Sequence, residues 1–164
     1  MHKFTLDETG QTGVLMSKNS LTYQICRTAS ELNSAEDGYK AVVEGLGKNI
    51  TSKTGDVELV KTVQVYLRDR DSRVLGGVVG HLFGGWLNVS LLWVDEEHRN
   101  RGNGTRLLRI IESEAIKLGC RYAHLDTYSF EARPFYEKHG YSLFATLDDY
   151  PIGFSKYFLK KKLV

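Results

Sequence analysis

Little in this chain ties it to a disulfide framework, a membrane or a nucleic acid. There are only two cysteines in 164 residues, Cys26 and Cys120, too far apart for a zinc spacing or a disulfide pattern. Each falls in or beside a strand-like segment, so both read as buried reduced thiols, and no metal is expected. Neither sign of charge predominates: 22 Lys and Arg against 20 Asp and Glu give a formal net charge of +2, and Lys160-Lys161-Lys162 is the one basic block. That excludes a general nucleic-acid binder. No apolar run approaches the ~18 residues that span a bilayer, and the polar beginning does not read as a signal peptide, so no membrane partner is expected and the cytoplasm is the expected location. Repeats, low-complexity tracts and internal linkers are missing. What remains is an ordinary globular composition, 41% hydrophobic and 26% charged, long enough for a single core.

Periodicity divides the chain into elements. Residues 1–20 are polar and aperiodic, and read as a flexible arm; Met16 within it could serve as an alternative start. Leu21 to Arg27 reads as a first strand. Ala35, Tyr39, Val42, Val43 and Leu46 recur at helical spacing within Ser34 to Asn49, and Thr51 to Gly55 reads as a loop. Val63, Val65 and Leu67 alternate with polar residues before a charged turn at Arg68 to Ser72. Val74 to Phe83 and Trp86 to Val94 are longer apolar strands, and Gly84-Gly85 between them marks a hairpin. Thr105 to Leu118 is a helix with Leu107, Leu108, Ile111, Ala115 and Leu118 on one face and Gly119 as its stop. A strand at Tyr122 to Thr127, a short helix at Glu131 to His139, and strands at Tyr141 to Thr146 and Lys156 to Leu163 complete an α+β or α/β order with a mixed sheet.

The most informative stretch is Val94-Asp95-Glu96-Glu97-His98-Arg99-Asn100-Arg101-Gly102-Asn103-Gly104-Thr105. It joins an apolar strand to a helix. A helix start carries N–H groups without intrahelical partners and a positive dipole end, so a basic glycine loop placed there suits an anionic phosphate. Gly102 and Gly104 would let backbone approach a ligand without a Cβ between them. A plain surface turn is the alternative, since short glycine motifs match by accident.

A second constellation, Ala132-Arg133-Pro134-Phe135-Tyr136-Glu137-Lys138-His139-Gly140-Tyr141, lies on the helix after the next strand. With it, a family resemblance emerges. Arg99-Asn100-Arg101-Gly102-Asn103-Gly104 is similar to the (Arg/Gln)-x-x-Gly-x-(Gly/Ala) loop of the GNAT superfamily of N-acetyltransferases. Phe135-Tyr136-x-x-x-Gly140-Tyr141 resembles that family's later signature. The likeness covers roughly Val74 to Leu163. It implies a mixed, mostly antiparallel twisted sheet of six to seven strands flanked by about four helices, spanning residues 21–164. It also implies acetyl-CoA or another acyl-CoA as co-substrate, and an amine-bearing acceptor attacked directly in a ternary complex. Relatives are often monomers or homodimers, so the resemblance leaves both states open.

The resemblance further implies roles for particular residues. The pyrophosphate would rest on Arg99, Asn100, Arg101, Gly102, Asn103, Gly104 and Thr105, with Arg106 either a phosphate partner or an exposed helix cation. The pantetheine arm would lie along Leu92, Trp93 and Val94, where an N–H polarises the thioester carbonyl. Tyr136 matches the family's acid for the departing thiolate; the alternative is a packing aromatic. The base is open. An alkyl amine must lose a proton, about 4 kcal/mol at pH 7. The strand Trp86 to Trp93 nevertheless lacks the glutamate many relatives place there. Asp126 and His124, two apart on one strand face, are candidates; Asp95, Glu96, Glu97 and His81 are weaker ones. Ser129 stands where relatives often have an asparagine touching pantetheine. Asp148, Asp149 and Tyr150 form an acidic aromatic loop that would hold a cationic amine, or simply a solvated turn. Acceptor pockets of the family come largely from the region Ser30 to Val60, which carries no signature here. A non-catalytic acyl-CoA sensor is the competing reading, favoured by the missing strand carboxylate.

Overall fold

The structure, a computed structural model, describes residues 15–16, 22–23, 25–55 and 61–164. The chain divides into two compact units, Met1–Gly55 and Asp56–Val164. In the first, β1 (Leu15–Met16) pairs antiparallel with β2 (Thr22–Tyr23), followed by α1 (Ala29–Ser34) and α2 (Glu36–Thr54). The arm expected over 1–20 lies outside the described residues apart from Leu15–Met16, and among the described residues of the expected first strand only Thr22–Tyr23 are paired. Thr28 starts α1 through a capping box: its side chain accepts from the Glu31 N–H, while Glu31 accepts from the Thr28 N–H. α2 continues through Gly45 and Gly47, past the expected loop at Thr51. Gly55, with φ 74°, follows its last residue.

The second unit is a six-stranded open sheet in the order β3-β4-β5-β6-β8-β7. Its strands are β3 (Lys61–Arg68), β4 (Val74–Phe83), β5 (Trp86–Val94), β6 (Tyr122–Tyr128), β7 (Ser142–Asp148) and β8 (Ser155–Lys162). All pairings are antiparallel except β5 with β6. The Gly84-Gly85 hairpin forms as expected, with both residues at positive φ. The final strand slots between β6 and β7, an order the linear pattern does not disclose.

α3 (Asn103–Lys117) packs on β3, β4 and β5. Its Leu107, Leu108, Ile111 and Ala115 are buried against Val78, Leu82, Leu87, Val89, Ala123, Leu125 and Leu159. Each large side chain so buried contributes roughly 1.5–3 kcal/mol. Leu118, read as part of that stripe, is instead half exposed beyond the last turn. Gly80 lies under the helix, where a Cβ would meet Leu87 and Ile111 side chains at 2.6 and 2.9 Å. The buried carboxylate of Glu112 accepts from the Tyr141 hydroxyl at 2.9 Å and from Lys161 Nζ at 2.7 Å. That joins α3 to the far side of the sheet. The short helix after β6, α4 (Arg133–Lys138), begins two residues later than expected, with Pro134 in its first turn. No described helix is long and apolar enough to cross a membrane.

Candidate active site

Two irregularities of β5 shape the site. The first is a bulge: Val79 faces Leu91 while Gly80 faces Val89, so Ser90 has no partner residue, and its hydroxyl donates to Val79 O at 3.1 Å. The extra residue changes parity. Leu87 and Val89 face the core before it, Leu92 and Val94 after it, leaving Leu91 and Trp93 exposed. The second is a short parallel pairing. β5 bonds β6 only from Trp86–Val89 to Tyr122–Leu125. Beyond that point, among the described residues, Ser90 to Val94 has no partner on this side and Asp126 to Tyr128 pairs only with β8. The strands part toward their carboxyl ends and present open backbone edges to one another. Leu92, Trp93 and Val94 form one wall of that opening.

The glycine loop begins where β5 ends. Asp95 caps a 3-10 turn (Glu96–His98), accepting from the Glu97 N–H and lying 3.4 Å from His98 Nδ1. The His98 contact, above all, holds the Asp95 carboxyl below its usual range. Asp95 thus shapes the loop, while the carboxylates of Glu96 and Glu97 make no hydrogen bond or ion pair among the described residues. Arg99 Nε donates back to Val94 O at 2.9 Å, and Asn103 Nδ2 to His98 O at 2.8 Å. Asn100 and Gly102 adopt positive φ, 57° and 79°. The first helical bond of α3 runs from Arg106 N to Gly102 O. The backbone N–H groups of Asn100 to Thr105 therefore have no acceptor among the described residues. Successive free donors at a helix start form an anion seat.

The two glycines have different tasks. A Cβ on Gly102 would meet no protein atom, but its left-handed φ disfavours one. A Cβ on Gly104 would point inward, at 3.6 Å from the Phe135 ring. The space that a Cβ on Gly104 would take thus lies on the Phe135 side, at ordinary contact distance. A concavity of about 440 Å³ continues from the loop along the outer face of α3, lined by Gly102, Thr105, Arg106 and Arg109 among others. The guanidinium groups of Arg101, Arg106 and Arg109 are free of partners among the described residues. Arg109 went unnoticed in the sequence because it lies outside the loop motif; its signal was the spacing of three from Arg106.

Tyr136 lies on α4, immediately after β6. It is 8% exposed and packs edge-on against Phe135 and Tyr141. Its hydroxyl has no hydrogen-bond partner among the described residues, yet it is not fully enclosed, so it opens on accessible space. Burial first, then the nearby charges of Glu131 and Asp126, pushes its pKa up to about 12. His139, just past α4, ties this helix to the loop. Nδ1 lies 2.7 Å from Phe135 O, which can only accept, so Nδ1 carries a proton. In the neutral ring Nε2 is then the acceptor, and the Thr105 hydroxyl at 3.0 Å donates to it.

The remaining candidates are spread out. His124 sits on the paired part of β6, beside Trp86 and away from the parting of the strands; burial lowers its pKa. Asp126 is the first β6 residue past the pairing, and Lys156 Nζ engages it at 2.8 Å. His81 is tied to Thr62 across the β3–β4 pair at 3.1 Å. Ser129 Oγ accepts from the Ser155 N–H at 3.2 Å, an anchor for the start of β8. Asp148 accepts from the Ser155 hydroxyl, and Asp149 from the Gly153 N–H at 2.7 Å, so both carboxylates stitch the β7–β8 turn. Tyr150 instead faces Lys156. No group of three or more metal-ligating side chains occurs among the described residues.

Comparison with known proteins agrees with this geometry. The family profile described as the acetyltransferase (GNAT) domain matches residues 61–143. Blasticidin-S acetyltransferase of Streptomyces morookaense is 33% identical over 133 residues, covering 80% of this chain and 96% of the relative. The crystal structure of an acetyltransferase from Bacillus cereus ATCC 14579 superposes with a TM-score of 0.71 at 32% identity, over 84% of this chain and 95% of that one. An aminoglycoside 6'-N-acetyltransferase solved with coenzyme A shares the fold at a TM-score of 0.57 and 18% identity, over 63% of this chain and 73% of that one. The choice between enzyme and silent sensor falls to the enzyme. This chain is an acetyltransferase of the GNAT family.

Proposed function

We propose that the protein transfers the acetyl group of acetyl-CoA to a primary amine of a small molecule or peptide, by direct attack in a ternary complex. The observation that carries this reading is the parting of β5 from β6 with free loop N–H groups at its wide end. Asn100 to Thr105 would bind the pyrophosphate, and Arg101, Arg106 and Arg109 the outer phosphates. Pantetheine would add to the open edge of Leu92 to Val94, where a backbone N–H stabilises the oxyanion. The coenzyme A bound by a structural neighbour supports the donor. The small-molecule antibiotic named for a relative supports the acceptor class. The cytoplasm is the proposed location.

Tyr136 would serve the leaving group. A simple thiol has a pKa of about 8.5, so complete transfer from a phenol at about 12 is uphill by roughly 5 kcal/mol. Its role in this reading is a hydrogen bond to the developing thiolate, with the proton finally supplied by solvent. Asp126 is held by Lys156 and does not serve as the base in this reading, and solvent accepts the amine proton. Thiol release from acetyl-CoA, followed across a panel of amines, tests the reading. Amine-dependent release supports it; release with no amine dependence overturns it.

A further inference from the structure

Lys156 is held unlike an ordinary surface lysine. Its side chain is 18% exposed, and Nζ lies 2.8 Å from Asp126 Oδ2. The same nitrogen stands 5.4, 5.5 and 5.6 Å from the ring centroids of Tyr128, Tyr150 and Phe158. Tyr128 is nearly parallel to Tyr150, and stacks on Phe130 at 5.2 Å. One carboxylate among several π faces is the chemistry of a cation cage.

Two features separate this cage from an ion pair that merely ties strands together. It is open: the Asp126 side chain is 43% exposed, Tyr150 50% and Phe130 57%, so a ligand can reach both carboxylate and rings. It is also placed at the active site. Asp126 is the first β6 residue past the pairing with β5, Tyr128 ends that strand, and the charge of Asp126 is felt by Tyr136.

We propose that this cage is the acceptor's cation subsite, and that Lys156 fills it only until a guanidinium or second ammonium group of the acceptor takes its place. The inference rests on the acetyl-transfer reading above and narrows it to amines that carry a further positive charge. Exchange of one cation for another never leaves Asp126 unpaired, so the penalty of a lone carboxylate is avoided. A flat guanidinium also stacks on tyrosine faces better than an ammonium does. Lys156 then acts as a built-in competitor that weak or singly charged amines fail to displace.

The test is calorimetric binding of agmatine, a primary amine with a guanidinium, and of butylamine, which lacks one. Both are titrated into the CoA-loaded protein, its Lys156→Met variant and its Asp126→Asn variant. Lys156→Met should bind agmatine about tenfold tighter and Asp126→Asn about tenfold weaker, with butylamine unmoved, as expected for gain or loss of one charge-assisted contact. Agmatine binding that is unchanged or weaker in Lys156→Met, absent from both it and the parent, or shifted equally with butylamine overturns the cage. CoA affinity of the same three proteins reports separately on the donor site. If CoA fails to bind, the acetyl-transfer reading falls; if it binds and agmatine does not respond, only the cage falls.

Discussion

At the scale of single residues, a proton and a dihedral angle matter most. Tyr136 keeps its proton up to about pH 12, so it donates throughout the working range. Tyr136→Phe should reduce kcat by about 10²–10³, the usual loss of one donor to a developing charge, while CoA affinity stays within twofold. Steady-state kinetics beside CoA titration checks this, and unchanged turnover would remove the phenol from the chemistry. For the glycines, Gly102→Ala should destabilise by about 1–2 kcal/mol through its left-handed φ and weaken CoA binding. Gly104→Ala sits in the first turn of α3 with ordinary contacts, so it should be neutral or stabilise by up to about 1 kcal/mol. Thermal melts with and without CoA separate the two. Tyr136 and Gly102 were legible in the sequence because each sits in a local motif. The capture of Asp126 by Lys156 was not, because those residues meet only through the β6–β8 pairing.

At the scale of elements, β5 carries two structural decisions in nine residues. The bulge at Ser90 turns Leu92 and Val94 inward, and the early end of the β6 pairing opens the edge beside them. Neither has a composition signal: the run Val89-Ser90-Leu91-Leu92 reads as a continuous apolar strand. Gly76 supports this geometry from β4, where a Cβ would press on Trp93 O at 2.9 Å. Gly76→Ala should therefore cost about 1–3 kcal/mol and raise the KM for acetyl-CoA, because backbone rather than a flexible side-chain tip must move. The Glu112 contact is equally invisible before folding, since Tyr141 and Lys161 come from distant turns of the chain. Helix positions were easier to foresee. α3 ends before Gly119, and its buried stripe follows the 3.6-residue period that marked it.

At the scale of the molecule, the titrating groups outline a pH range of stability. Burial lowers the His124 pKa, so the folded state favours the neutral ring. That contribution is present above about pH 6.5 and declines as pH falls below it. Burial pushes the phenols of Tyr136 and Tyr141 upward, so their contribution is complete below about pH 10 and is lost as pH rises beyond it. Denaturant melts across pH should show a plateau between these limits, and His124→Gln should flatten the acid side. The donor half of the site was readable because it uses contiguous backbone. The proposed acceptor half gathers Asp126, Tyr128, Tyr150 and Lys156 from two strands and a turn, and only the strand order β6-β8-β7 brings them together.

The central claim is that acetyl-CoA lies across the glycine loop and the open edge of β5. Amide hydrogen exchange with and without acetyl-CoA tests it most directly. Binding should slow exchange at Asn100 to Thr105 and at Leu92 to Val94, the two stretches whose donors are free or face the cleft. Saturating acetyl-CoA that leaves both stretches unprotected, or protects residues elsewhere in their place, would contradict the account.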